Sequence, residues 1–354
     1  MTYKNIEEAS GLKRGKLKVT PYYYEVDLPF FQENLKDFLP DRIIDIHSHT
    51  ADSKILKPNA PPPDFWAERV CPNGMSLPSL LESYILMFPG KYIRPVIFSL
   101  PSKRFDLEKG NAYVAEQARK FSLLPLILTK PEWSATELEK RVKEGGFIGI
   151  KPYPIMAKDK PIEKVEIFDF LPRSHLELAD EKRWLVILHI PRPGRLDDPV
   201  NVQQLLDIDE NYPHANVVVA HVGRSYCPGQ GAKGLRMLQD TQNLLFDISA
   251  NTNQAIFERL IETVRIERIL FGSDMPITAM HAKRICEDHN YVNIILDADW
   301  KDSHTRPASP KEKVTFFLYE EISAFKRAAE KKGLSRKEIE KVFFLNAQRI
   351  LNYK

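Results

Sequence analysis

Two histidines one residue apart, His47 and His49, close the run IIDIHSHT, and four more polar side chains close later apolar runs: Lys151 in FIGIKPYP, His189 in LVILHIPRP, His221 in NVVVAHVGR and Asp274 in RILFGSDMP. Residues i and i+2 of an extended strand share a face, so His-x-His at a strand end aims two imidazoles at one point. Imidazole nitrogens together with a carboxylate oxygen suit zinc or another borderline divalent cation, with one position left open for water. A centre of this kind lowers the pKa of its bound water from about 15.7 to about 7. Asp274 is suited to take that water's proton, and His221 to polarise a substrate carbonyl or steady the developing oxyanion.

The side chains need a scaffold that brings distant strand ends together. Counting IIDIHSHT, eight apolar runs can be read, the others being RPVIFSLPS, SLLPLILTKP, FIGIKPYP, WLVILHIP, NVVVAHVGR, NLLFDISA and RILFGSDMP. Amphipathic stretches such as AYVAEQARKF, ATELEKRVKEGG and QAIFERLIETVR separate them. Short continuous apolar strands alternating with helices mark a parallel sheet covered on both faces, and eight such units can close a barrel. Lys151, His189 and His221 recur at intervals close to the ~30 residues of one strand-helix-strand unit. The expected fold is therefore α/β, a (β/α)8 barrel over residues 41–354, with residues 1–40 as an N-terminal extension packed on it. That extension carries the basic LKRGKLK and the tyrosine run PYYYEV. Two mouth-side insertions interrupt the rhythm. Residues 50–80 are too rich in Pro and Gly for regular helix or strand, and residues 275–310 are expected to be irregular; both would wall the pocket.

Substrate contacts are sought just beyond the strand ends. Arg192, Arg195 and Arg224 follow the fifth and sixth strands in HIPRPGR and HVGR, where a guanidinium can grip a carboxylate or phosphate in bidentate fashion. The competing expectation is pairing with a neighbour such as Asp197 or Asp198. Tyr153, two residues past Lys151, is expected to line the pocket. Asp45 should face the same way as His47 and orient a metal-bound imidazole. Ser249 and Asn251 read as a helix cap, and His175, His214, His281, His289 and His304 as packing or surface residues, His281 being the best placed of them.

With 51 basic against 48 acidic residues the formal net charge is +3, too small to gather nucleic acid or an anionic membrane. No run reaches the ~18 apolar residues of a membrane span, and MTYKNIEEAS lacks the apolar core of an export signal. Cys71, Cys227 and Cys286 are too few and too scattered for a disulfide framework, so a reducing, cytoplasmic setting is expected. The expected partner is a small-molecule substrate, with neither nucleic acid nor membrane, and the chain is compatible with a homo-oligomer. There is no phosphate-cradling glycine loop and hence no sign of a nucleotide cofactor.

Taken together, DIHSHT, GFIGIKPYP, ILHIP, VVAHVGR, FGSDMP and the closing FFLNAQRIL resemble the amidohydrolase superfamily, and most of all its amidohydrolase-related branch, which includes metal-dependent decarboxylases. The resemblance spans about residues 41–353. It implies that His47, His49, His189 and Asp274 hold a catalytic metal, one Zn2+, with His221 beside it as acid/base or polarising group. Lys151 is ambiguous: it either contacts substrate or, if carbamylated, bridges to a second metal. The leading activity implied is metal-dependent hydrolysis of a C–N or C–O bond in an amide, lactone or ester of a small carboxylated substrate. The alternative is decarboxylation of a small aromatic or unsaturated acid.

Overall fold

The computed structural model describes residues 25–158, 160–296, 298–309 and 314–352, so LKRGKLK and most of PYYYEV lie outside the described residues. Three parallel strands form one sheet: β1 (Arg42–His49), β2 (Tyr92–Phe98) and β3 (Leu124–Pro125). Six more form a second: β4 (Ile127–Leu128), β5 (Gly149–Lys151), β6 (Leu185–Leu188), β7 (Asn216–Val219), β8 (Leu245–Asp247) and β9 (Ile269–Leu270). β3 and β4 are halves of one strand, split by Leu126, whose N–H donates to Ile97 O of β2 at 2.9 Å. At the other edge the chain beyond β9 returns to β1. Ile46 N donates to Phe271 O (3.2 Å), Asp274 N donates to His47 O (2.8 Å), and Ser48 bridges Met275. The ring is thereby complete, and the chain is a (β/α)8 barrel.

Alternation along the strands sorts the core. Leu185, Ile187, Val218, Leu245 and Leu270 pack with Ile44 and Ile46 in an inner cluster, while Val186, Leu188, Val217, Val219 and Phe246 meet the surrounding helices. β1 breaks its own alternation. Between Asp45 and Ser48 it advances three residues against two of β2, a bulge. A bulge re-aims side chains, and here it lets His47 and His49 join the inner face that Ile44 and Ile46 occupy lower in the same strand. Asp45 accordingly does not share the face of His47, as strict alternation predicted.

The segment expected to be irregular before residue 310 instead folds as a three-stranded mouth sheet: β10 (Ala282–Glu287), β11 (Asn290–Ile295) antiparallel to it, and β12 (Thr305–Pro307) parallel to β11. Asp288 and His289 join β10 to β11 with positive φ at both (46° and 68°), the two-residue turn whose twist matches paired strands. A disulfide joins Cys286 of β10 to Cys227 in the loop after β7, against the expectation of unpaired cysteines; Cys71 is buried and free. Within the first insertion Trp66–Val70 forms a short helix, where none was expected. The described part of the N-terminal segment packs on the barrel. Asp27 accepts bonds from His281 Nε2 (2.9 Å) and Thr315 Oγ1 (2.8 Å), and Phe31 meets Phe88 and Tyr319. Among the described residues no helix is long and apolar enough to cross a membrane.

Candidate metal centre

His47 and His49 end β1, and Asp274 leaves the strand beyond β9 in the left-handed conformation (φ 57°). Gly272 permits this approach, since a Cβ there would lie 2.7 Å from that of His47. Asp274 Oδ1 sits 3.2 Å from His49 Nε2 and 3.5 Å from His47 Nε2, and all three residues are buried. Three ligand atoms gathered this closely can converge on one metal ion.

The other ring nitrogens are spoken for. His47 Nδ1 donates to Asp247 Oδ2 (2.9 Å), His49 Nδ1 to Ser99 O (3.2 Å) and His221 Nδ1 to Ser249 O (3.0 Å). Because each acceptor is a carboxylate or carbonyl, the proton belongs on Nδ1 and the lone pair on Nε2, the state a metal ligand requires. Burial, reinforced by the charge of Lys151, pulls His47 down to about 3, so its imidazole is neutral. Burial would raise Asp274, yet the imidazoles of His49, His221 and His47 gathered around its carboxylate bring it down to about 2. Two imidazoles with Nε2 turned inward and one carboxylate therefore fit a divalent cation by donor type and position.

Asp247 ends β8 and was missed in the sequence. Besides holding His47, its Oδ1 accepts from His221 N (2.7 Å), Ser249 N (3.1 Å) and Ser249 Oγ (2.5 Å). Burial alone would raise its carboxyl, but the His47 contact and these donors hold it well below the usual carboxylate range. Ser249, read from sequence as a cap, has its Oγ 2.8 Å from His221 Nδ1. Asp45, expected to orient an imidazole, instead accepts from the backbone N–H groups of His47 (3.0 Å) and Ser273 (2.9 Å) and from Tyr84 Oη (2.5 Å). It braces the bulge, and burial pushes its carboxyl up to about 6.

His221 opens a left-handed turn after β7 in which His221, Val222, Gly223 and Arg224 all have φ between 48° and 60°. Outside glycine each such residue costs about 1–2 kcal/mol, strain that accumulates where side chains must be aimed. The turn sets the His221 ring 4.9 Å from that of His47 and 4.6 Å from that of His189. His189, the fourth sequence-predicted ligand, lines the same pocket with its Nδ1 buried and, among the described residues, without a hydrogen-bond partner, but its nitrogens lie outside the tight His47–His49–Asp274 group. Lys151 is fully buried, its Nζ 3.4 Å from His47 Nε2 and 5.1 Å from the Phe98 ring centre, and burial lowers it to about 8.

A cavity of about 340 Å³ opens above these residues, large enough for a small molecule. Tyr153 and Arg224 line it. Arg192 does not: its Nε donates to Asp198 Oδ1 at 3.0 Å, the neighbour pairing that competed with a substrate role. His281 is buried against Asp27 away from the pocket, whereas His304, read as an ordinary residue, is in its wall. Sequence reasoning also missed Arg284 of β10, Tyr226 and Tyr291. Both insertions contribute walls, through Phe65, Trp66 and Glu68 from the first and Arg284, Tyr291 and His304 from the second.

A family model described as amidohydrolase matches residues 110–353. No curated protein matches the chain by sequence. Among solved structures, a probable 2-pyrone-4,6-dicarboxylic acid hydrolase from Acinetobacter baumannii with citric acid bound aligns at 16% identity and TM-score 0.55, over 88% of this chain and 99% of its own. An amidohydrolase from Burkholderia multivorans with bound zinc aligns at 12% identity and TM-score 0.58, over 88% and 99%. A dihydroxybenzoic acid decarboxylase from Polaromonas sp. JS666, with bound manganese and 2-nitroresorcinol, aligns at 15% identity and TM-score 0.51, over 88% and 97%. At these identities the likeness is one of fold.

Proposed function

Starting from a chain that belongs to the amidohydrolase family and is an enzyme of that type, we propose that it hydrolyses a C–N or C–O bond of a small carboxylated substrate at the mouth of its barrel. The observation that carries this reading is the convergence of His47 Nε2, His49 Nε2 and Asp274 Oδ1 at the floor of a small-molecule cavity. His47, His49, Asp274 and, from the adjoining wall, His189 would hold the metal, zinc on ligand chemistry, and it would supply Lewis-acid polarisation and a lowered water pKa. Asp274 accepts the proton of the attacking water on its carboxylate and passes it to the leaving group. His221, fixed by Ser249 and by the Asp247 bond to its own backbone, steadies charge developing on the substrate oxygen. Tyr153 and Arg224 orient the substrate, and Lys151 lies buried beside His47.

Decarboxylation is the second reading. It is favoured by the walls, where Phe65, Trp66, Tyr153, Tyr226 and Tyr291 present rings suited to a planar aromatic acid. Zinc- and manganese-loaded protein offered lactones, amides, esters and aromatic acids separates the two. Hydrolysis releases a new carboxylic acid without carbon dioxide, and decarboxylation releases carbon dioxide. Turnover of the hydrolysable substrates that is unchanged in Asp274→Asn would overturn the assignment.

A further inference from the structure

The pocket wall carries guanidinium groups with no acid to match them. Arg284 projects from β10 of the mouth sheet and is half-buried, its guanidinium carbon 4.5 Å from the Tyr226 ring centre, 4.6 Å from that of Tyr291 and 4.7 Å from that of Phe317. Its Nε donates to Asn293 Oδ1 (2.9 Å) and one terminal nitrogen donates to Ala250 O (2.7 Å), both neutral acceptors. Among the described residues Arg224, also in the wall, donates to the carbonyls of Ile190 (3.2 Å) and Pro191 (2.9 Å), and Arg195 behind it to Gln230 Oε1 (2.5 Å). Among the described residues none of the three has a carboxylate within ion-pair distance, whereas Arg141, Arg173, Arg192 and Arg306 are all paired with acids. Of the acids lining the cavity, Glu68 is bonded to Ser102 and Asp274 belongs to the metal group.

A cation walled by aromatic rings has lost much of its hydration, and a neutral acceptor restores only part of it. The remaining donors are therefore available to an anion from the cavity, and the fork of a guanidinium matches a carboxylate in particular. Arg284 is also held for the purpose. Its sheet is tied by Cys286 to Cys227, the residue after Tyr226, so the arginine and the ring it stacks on are fixed to each other across the disulfide. His304 stacks on the far partner, Tyr291, at 4.3 Å and 7°.

We propose that Arg284, assisted by Arg224, forms an anion subsite on the mouth sheet that binds a carboxylate of a planar, ring-bearing substrate, a carboxylate distinct from the bond that reacts at the metal centre. The proposal rests on this cavity being the substrate pocket. Arg284 is thus a specificity-determining residue contributed by the insertion rather than by the barrel strands.

Isothermal titration of the zinc-loaded protein with isophthalate and with its uncharged counterpart isophthalamide tests it without any need for turnover. Isophthalate should bind at least about 10-fold more tightly than the diamide, and Arg284→Met should abolish that preference by weakening isophthalate about 10- to 100-fold, the range of a lost charge-assisted pair, while leaving the diamide and the zinc content unchanged. Arg284→Lys should recover part of it. Equal binding of the two probes by the wild type, or an undiminished preference in Arg284→Met with its melting temperature preserved, overturns the subsite. Should Arg284→Met fold poorly, the Arg284→Lys and Arg224→Met variants carry the same comparison. If the carboxylate preference behaves as stated while none of the hydrolysable substrates turns over, the subsite stands and the hydrolytic reading falls.

Discussion

His47 Nδ1 and Asp247 Oδ2 lie 2.9 Å apart, both residues fully buried, though two hundred positions separate them along the chain. The pair fixes the ring and its proton so that Nε2 faces Asp274. Asp247→Asn should weaken zinc affinity about 10- to 100-fold, the usual effect of removing a carboxylate behind a metal-bound histidine. Competition with a chelating dye measures it. Unchanged affinity would show that His47 is positioned by packing alone.

His221 and Lys151 separate a one-metal from a two-metal centre. With one metal, His221→Asn should keep about one zinc per chain while losing about 10²- to 10⁴-fold in turnover, the worth of a positioned acid/base group. Lys151→Ala should likewise keep its zinc. Elemental analysis showing about two metals in the wild type and fewer in Lys151→Ala, restored by short carboxylic acids, would establish Lys151 as a carbamylated bridge.

Much of this centre was legible because a polar residue ending an apolar run is conspicuous, and His47, His49, His221 and Asp274 all do so. Asp247 was not, because in FDISA it reads as one polar residue within a strand followed by helix-capping types, and only the closed ring places it behind His47. Asp45 misled because the rule of alternate faces holds only where a strand is regular, and the bulge that aims the histidines removes that regularity. Arg192 misled because a guanidinium six residues from an aspartate looks the same on paper whether or not it pairs. The mouth sheet carried one usable sign, strand-like RICE and NYVNII on either side of Asp288-His289, which a search for turns led by Gly or Pro passes over.

The cysteines can be counted directly. Denatured but unreduced protein should titrate one thiol, Cys71, and reduced protein three. Cys286→Ala should cost about 2–4 kcal/mol in urea unfolding, since the bond spans 59 residues of chain. Three thiols before reduction would show that the protein as isolated lacks the bond.

Acid stability should carry the mark of His175, fully buried with Nε2 donating to Trp133 O at 2.7 Å. Burial holds its folded pKa below 6.5, so the unfolded chain takes up a proton that the folded one refuses. Stability is unaffected above about pH 6.5 and falls as pH drops through that value, by up to about 1.4 kcal/mol per pH unit for one proton. In urea melts between pH 7.5 and 5, His175→Gln should show a shallower decline than the wild type. Parallel declines would assign the acid sensitivity to other groups.

The hydrogen bond from Asp274 N to His47 O joins the last strand of the ring to the first, and it does so beside the donor atoms themselves. A nascent chain that has emerged only as far as the seventh βα unit can hold the two histidines of HSH but not Asp274, whose carboxylate completes the set on the Nε2 side. Ion capture is thus deferred until the slowest, most non-local contact has formed. Zinc uptake by refolding protein should accordingly lag behind the gain of helical signal, making the ion a clock for barrel closure as well as a participant in chemistry.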